Sequence, residues 1–145
     1  MNDADVQIRQ FRFPEDYEQV ISLWARAGEG VHLGRSDTAE QINNKMRRDP
    51  DLFLVAENRG KVVGAVLGSF DGRRGMMYHL AVVKELRQKG VGARLMDALE
   101  QRLRSKGCLR YYLLVTRDNS DAIRFYEKRG WKNLSDLYVY GKDLE

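Results

Sequence analysis

The chain is poor in the residues that carry disulfide and metal chemistry. A single cysteine, Cys108, and two histidines stand among 145 residues. One cysteine cannot form an internal disulfide, and so few soft ligands do not make the clustered spacing of a structural zinc site. We therefore expect no metal. Cys108 lies between Gly107 and Leu109, at the start of an expected strand, and is expected to fill space in the core.

Long apolar runs are also absent. No stretch approaches the roughly 18 uninterrupted apolar residues of a membrane-spanning helix. The first ten residues, MNDADVQIRQ, have acidic side chains where a signal peptide needs cations followed by an apolar run. We therefore expect a cytoplasmic protein with no membrane partner.

Linkers and repeats are missing as well, since the chain has only two prolines and no low-complexity tract. Hydrophobic residues make up 43% and charged residues 32%, which is ordinary for a folded chain. We expect residues 1–145 to form a single domain. The net charge of +4 suits nucleic acid or a phosphorylated small ligand equally, but 21 acids are interleaved with the cations, so we expect no nucleic acid partner.

The apolar pattern predicts an α/β protein with a mixed sheet. The expected strands lie at 6–13, 52–57, 61–70, 76–83, 109–116 and near 137–140. The expected helices lie at 15–26, at 36–48, between Val91 and Gly107, and between Asn119 and Gly130. The order strand, crossover helix, strand over 76–116 implies that these two strands pair in parallel.

A glycine turn, LRQKGVGARL (86–95), follows the strand at 76–83 and opens a helix. Backbone N–H groups at such a helix start point outward at the positive end of the helix dipole and attract phosphate. Gly90 and Gly92 let a ligand approach the backbone closely. The cations that can neutralise a pyrophosphate from the rim are Arg87, Lys89 and Arg94. On this stretch alone, a glycine-assisted helix start with solvated cations explains the pattern equally well.

Two segments in order carry a resemblance to a known family. VVKELRQKGVGARLMDALEQRLRSKG (82–107), followed by VTRDNSDAIRFYEKRGW (115–131), closely resembles the acetyl-CoA-binding core of the GNAT superfamily of N-acetyltransferases. The family's turn reads Arg/Gln-x-x-Gly-x-Gly/Ala, and residues 87–92 match it at every position. The remaining chain, from IRQFRFPEDYEQVISLW to LYVYGKDL, is similar to a small bacterial subgroup often labelled YpeA.

The resemblance implies a GNAT fold with a twisted mixed sheet of about six to seven strands and about four flanking helices. A V-shaped split between the strands at 76–83 and 109–116 would hold acetyl-pantetheine. The residues that it assigns to the coenzyme are Leu80, Ala81 and Val82, beside the pantetheine; Arg87, Gln88, Lys89, Gly90, Val91, Gly92 and Ala93, around the pyrophosphate; and Asn119 and Tyr126, near the pantetheine and its sulfur. Asn119 is equally suited to cap a helix.

Acetyl transfer also needs proton donors and acceptors. The resemblance places Tyr126 as the general acid for the leaving thiolate, with packing beside Phe125 as the alternative. Many relatives use a carboxylate before the phosphate turn as the base, but residues 76–84 contain no Asp or Glu. His79 is the candidate base in that strand, although strand alternation leaves open which face it occupies. Glu29 and His32, in the AGEGVHLGR loop, are further candidates, with solvated loop residues as the favoured interpretation.

These residues predict an enzyme that moves acetyl from acetyl-CoA to a primary amine by direct attack within a ternary complex. The alternative is a catalytically silent acyl-CoA-binding or sensing module, which the missing strand carboxylate favours. The acceptor is left open as a small molecule or a peptide or protein amine. A monomer and a homodimer are both compatible with the sequence.

Overall fold

The computed structural model describes residues 3–27 and 31–145, and its centre is one five-stranded sheet in the order β1-β2-β3-β4-β5. The strands are β1 (Val6–Gln10), β2 (Phe53–Asn58), β3 (Lys61–Phe70), β4 (Gly75–Val82) and β5 (Tyr111–Leu113). The α-helices are α1 (Tyr17–Ala25), α2 (Ala39–Arg48), α3 (Val91–Ser105) and α4 (Ser120–Lys128). None of the helices in these ranges has the length and apolar character that crossing a lipid bilayer requires.

The helices cover the two faces of the sheet. The apolar stripe of α3 is buried against one face, as its spacing of four residues predicts, with Leu95 and Leu99 completely buried. The opposite face carries α1 and α2. There Phe53 stacks on Phe11 at a ring-centroid distance of 4.1 Å and on Trp24 at 5.6 Å. Each face therefore has its own apolar core, and the sheet is fixed between them.

Strands β4 and β5 pair in parallel, as predicted, but only at the start of β4. The three paired positions are Gly75 with Tyr111, Met76 with Tyr112, and Met77 with Leu113. A bulge in β4 follows immediately. Two consecutive residues of β3 pair with His79 and Met77, so Tyr78, which lies between them in β4, has no partner opposite it in β3. Beyond this point β4 continues to Val82 beside β3 alone, so the predicted V-shaped split is confirmed.

The sheet has fewer strands than expected. The predicted strand near Leu137 to Tyr140 is wrong, because these residues form no strand and Tyr140 is 90% exposed. Strand β5 is shorter than the predicted 109–116, and Leu109 is 92% exposed. Alternating apolar residues report a preference for extended backbone, but a strand also needs a partner edge, and the short β5 offers little of one. Cys108, in contrast, packs partly buried against the α3 core, as expected.

Gly75 sets how closely β4 and β5 approach, and an alanine there should weaken the fold. A Cβ on Gly75 would lie 2.9 Å from the Cβ of Tyr111 and 3.2 Å from the backbone oxygen of Ser69. Neither atom can move without its strand, so Gly75→Ala should lower the free energy of unfolding by about 1–3 kcal/mol. Urea denaturation measures this. Gly141→Ala is the control, since a Cβ there has no atom within 4 Å, and equal midpoints for the two variants would contradict the prediction.

Candidate active site

A cleft opens where β4 and β5 part. Its volume is about 90 Å³, and it is lined by both parting strands, by the segment that follows β5 and by α4. The polar lining residues are His32, Tyr78, Thr116, Asn119 and Tyr126. The remaining lining of the described cleft is apolar, and none of the described lining residues is acidic. The cleft therefore favours a neutral, extended ligand segment over a free cation.

Tyr126 reaches the cleft because of how α4 begins. The side chain of Asn119 caps this helix by accepting a hydrogen bond from the N–H of Ala122 at 3.3 Å, which fixes the direction in which α4 leaves the gap. The Tyr126 ring packs against Phe125 at 5.4 Å and Trp131 at 6.0 Å. Within residues 3–27 and 31–145 its hydroxyl makes no hydrogen bond, so it is available to a ligand. Packing and a place in the cleft, which the sequence offered as alternatives, occur together.

Burial raises the pKa of Tyr126 to about 12, because the phenolate would lose its hydration in the apolar cleft. The phenol is therefore protonated throughout the neutral and mildly alkaline range. For proton donation to a thiolate, whose ordinary conjugate-acid pKa is ~8.5, a lowered phenol pKa would be the easier arrangement. The same apolar surroundings penalise a thiolate formed beside Tyr126, however, and this raises the affinity of the departing sulfur for a proton.

The glycine turn forms a concave group of free N–H donors at the start of α3. Gly90 caps this helix with φ +84°, and Gln88 also has a positive φ of 63°. In the described part of the chain, the backbone N–H groups of residues 88–93 donate no hydrogen bond. Six N–H groups without partners at the positive end of a 15-residue helix are an arrangement that favours an anion such as a pyrophosphate.

The cations near this turn are arranged differently from the sequence expectation. Arg87 lies beside the end of β4, where its Nε donates to the backbone oxygen of Val82 at 3.1 Å. Arg94 points away from the turn and donates to the backbone oxygen of Val6 at 2.8 Å, so it ties α3 to β1. The assignment of Arg94 to the rim of the phosphate site is therefore wrong. Lys89 makes no ion pair with any described residue.

His79 lies on the face of β4 opposite to Leu80, which answers the question that strand alternation left open. Leu80 and Val82 pack toward α3, whereas His79 faces α1 and contacts the ring of Trp24 at 4.7 Å. Its Nε2 lies 3.1 Å from Oδ1 of Asp37, a buried residue that sequence reasoning did not single out. No local pattern marks Asp37, because it meets His79 only after the loop between α1 and α2 packs on the sheet.

The other predicted residues fall into two groups. Leu80, Ala81 and Val82 pair with β3 on one side and have no strand partner on the side of β5, so their backbone borders the gap. His32 lines the cleft near Tyr126 and is exposed. Glu29 lies outside the described residues. The structure therefore brings Leu80, Asn119, His32 and Tyr126 to one cleft, and Gly92 of the glycine turn lies beside the end of β4 at Val82.

Comparison with known proteins gives a family match over most of the chain. The acetyltransferase (GNAT) family matches residues 17–131. An acetyltransferase of Sodalis glossinidius is 39% identical over 139 residues, covering 96% of each chain. An acetyltransferase of Pectobacterium atrosepticum is 40% identical with the same coverage. These names do not specify the YpeA-type subgroup, so that narrower assignment stays a prediction.

Solved structures show the same fold. Ard1 from Thermoplasma volcanium is 33% identical, with a TM-score of 0.76 over 87% of this chain and 82% of that one. The PaiA N-acetyltransferase from Thermoplasma acidophilum, in complex with coenzyme A, is 24% identical, with a TM-score of 0.77 over 88% of this chain and 89% of that one. At this lower identity the likeness supports the fold alone.

The two glycines of the turn should respond differently to alanine. Gly90→Ala places an L-residue at a φ of +84° and should lower the free energy of unfolding by about 1–2 kcal/mol. The strained turn should also re-aim its N–H groups and weaken coenzyme A binding about tenfold or more. Gly92→Ala is the matched control for stability, because a Cβ there would lie 3.6 Å from Phe125, an ordinary contact. Urea denaturation measures the stability of both variants and calorimetry the coenzyme affinity of Gly90→Ala, and equal unfolding midpoints of the two variants would contradict this account.

Proposed function

The chain belongs to the acetyltransferase (GNAT) family and is an acetyl-CoA-dependent N-acetyltransferase, and from this premise we propose which of its residues bind the coenzyme and which transfer protons. The observation that carries the proposal is the continuous path from the glycine turn to the cleft. The free N–H groups lie at one end of β4, its unpaired edge runs beside the gap, and Tyr126 stands at the other end. A long ligand with an anionic end and a reactive end fits this order.

Coenzyme A takes that path in the proposal. Its pyrophosphate lies on the N–H groups of residues 88–93, with Lys89 nearby, because a helix start binds phosphate without a dedicated side chain. The pantetheine arm pairs with the backbone of Leu80 to Val82 and passes Asn119. The acetyl group then lies near Tyr126. The PaiA N-acetyltransferase, which has the same fold, is in complex with coenzyme A, and this supports coenzyme A as the ligand.

In the chemical step, one hydrogen-bond or proton donor serves each negative charge that develops, first on the carbonyl oxygen and then on the sulfur. The neutral amine attacks the thioester carbonyl, and a backbone N–H between Leu80 and Val82 stabilises the oxyanion. As the C–S bond breaks, the hydroxyl of Tyr126 gives its proton to the thiolate. His79 accepts the proton that the amine loses. Its Nε2 contact with Asp37 supports this role, since a carboxylate beside an imidazole stabilises the imidazolium that forms.

The acceptor in this proposal is a primary amine of a small molecule or of a peptide or protein. The described lining of the cleft offers it no carboxylate, and the polar groups near Tyr126 are His32, Tyr78 and Thr116. An ammonium nitrogen has no lone pair, so the acceptor attacks as the neutral amine and loses a further proton once the C–N bond has formed. This requirement is the reason why a base is needed in addition to Tyr126.

Replacing the hydroxyl of Tyr126 separates chemistry from binding. Tyr126→Phe keeps the ring packing on Phe125 and Trp131 but removes the proton donor. It should lower kcat by about 10²- to 10³-fold, while the Kd for coenzyme A changes by less than about threefold. Thiol release with pooled amine acceptors and calorimetry measure the two quantities.

The control is Tyr140→Phe, because Tyr140 lies in the exposed C-terminal segment and the same hydroxyl is lost far from the cleft. An unchanged kcat in Tyr126→Phe would remove Tyr126 from the mechanism. Coenzyme binding without thiol release from any amine by the wild-type protein would favour a silent acyl-CoA-binding module instead.

A further inference from the structure

The loop that follows α1 carries a buried carboxylate, Asp37. The reaction described so far does not say which nitrogen of His79 this carboxylate leaves free to act as the base. We propose that Asp37 is a positioning residue: it holds His79 in the tautomer with hydrogen on Nε2 and thereby leaves Nδ1 to accept the proton of the acceptor amine. This inference rests on the proposed function, in which His79 is the base. It assigns the basic atom and the residue that selects it.

Asp37 is held from three sides. Its side chain is 8% exposed, and its Oδ2 accepts a hydrogen bond from the N–H of Gly34 at 3.0 Å. Its backbone oxygen accepts a hydrogen bond from the hydroxyl of Tyr17 in α1 at 2.9 Å. Its Oδ1 faces Nε2 of His79 at 3.1 Å. Among the described residues no lysine or arginine forms an ion pair with Asp37, so His79 is its titratable partner there.

These contacts fix the tautomer of His79. A carboxylate oxygen only accepts hydrogen bonds, and Oδ2 is already occupied by Gly34, so Nε2 must be the donor to Oδ1. A neutral imidazole carries one N–H, and the lone pair then lies on Nδ1. In residues 3–27 and 31–145, Nδ1 makes no hydrogen bond. The structure therefore presents one free basic nitrogen.

His79 lies between two residues that line the cleft, although its own side chain is on the other face of β4. It is among the first residues of β4 beyond the last pair with β5, at the apex of the split, and 16% of its side chain stays exposed. A ligand in this gap passes between two separated strands and can contact groups on both faces of the sheet. Tyr78 and Leu80, its neighbours along β4, line the cleft. The loop that supplies Asp37 also supplies His32 to the cleft.

His79 and Tyr126 together account for every proton that moves in the reaction. The amine nitrogen forms a bond to the carbonyl carbon and becomes positively charged, and its proton passes to Nδ1 of His79. The resulting imidazolium is paired with Asp37, which stabilises the charge. The C–S bond then breaks and Tyr126 protonates the thiolate. After product release, the proton on Nδ1 leaves to solvent and the phenolate of Tyr126 takes one back.

Asp37→Asn is the informative substitution, because it keeps the shape of the side chain. If the amide oxygen accepts the Gly34 N–H, its NH₂ group donates to Nε2, and the hydrogen of His79 moves to Nδ1. The variant should lower kcat at saturating amine by about 10- to 100-fold, with the Kd for coenzyme A unchanged. The double variant with His79→Gln should fall no lower than His79→Gln alone, since both act on one atom.

Tyr17→Phe is the matched control, since it loosens the same loop without changing the carboxylate. A rise in KM for the amine with kcat unchanged in Asp37→Asn, as in Tyr17→Phe, would mean that Asp37 only holds the loop. Losses that multiply in the double variant would also overturn the proposal. So would a His79→Gln variant with the kcat of the wild type.

A second readout needs no turnover and separates this inference from the proposed function. The chain has two histidines, so nitrogen NMR with His79→Gln as the assignment reference resolves the imidazole of His79. The wild-type protein should show hydrogen on Nε2 and a bare Nδ1, and Asp37→Asn should show the reverse. A wild-type spectrum with hydrogen on Nδ1 would overturn the inference even in an active enzyme. The expected spectrum in a protein without thiol release would leave the tautomer held by Asp37 standing, while the proposed function and the role of Nδ1 as its base failed.

Discussion

The separation of β4 and β5 after three paired positions is the constraint on which the site depends. In a continuous sheet, the N–H and C=O groups of Leu80 to Val82 would be used by the neighbouring strand. The pairing with β5 ends at Met77, next to the bulge at Tyr78 in the β3–β4 pairing, and one edge of β4 is left to a ligand. Buried backbone groups need partners, and a pantetheine arm supplies amides of the required kind. The close contact of Gly75 with Tyr111 holds the closed end of the split.

Low polarity in the cleft affects every group that takes part in the reaction. It raises the pKa of Tyr126 to about 12, which keeps the acid protonated, and it strengthens hydrogen bonds to the oxyanion. The same property makes an unpaired charge costly, so a base in this region needs a fixed counter-charge. In the proposed reaction, Asp37 meets that need for His79 from outside the cleft. The proposed acid and the proposed base then lie on opposite faces of β4.

Parts of this site could be predicted because their signals are local. The glycine turn has a spacing that backbone conformation requires, and Gly90 does adopt a positive φ. The apolar stripe of α3 repeats every four residues, which predicts its buried face. Tyr126 was found through the resemblance of its segment. In contrast, Arg94 was assigned to the phosphate rim from its position in the chain, and the structure turns it toward Val6 because a buried carbonyl is within its reach.

The sequence by itself therefore determined the mixed α/β class and the glycine-assisted start of α3, and it singled out Tyr126 as the proposed acid, because each follows from contacts within about one helical turn or from a contiguous motif. Only the tertiary structure decided that the segment near Tyr140 is not a strand, which face His79 occupies and that Asp37 is its partner. The pair joins residues 42 positions apart, and α2, β2 and β3 lie between them in the chain. Such a contact arises from the packing of the loop on the sheet. The periodicity of apolar residues along the chain does not predict it, because that periodicity reflects only which face of each element is buried.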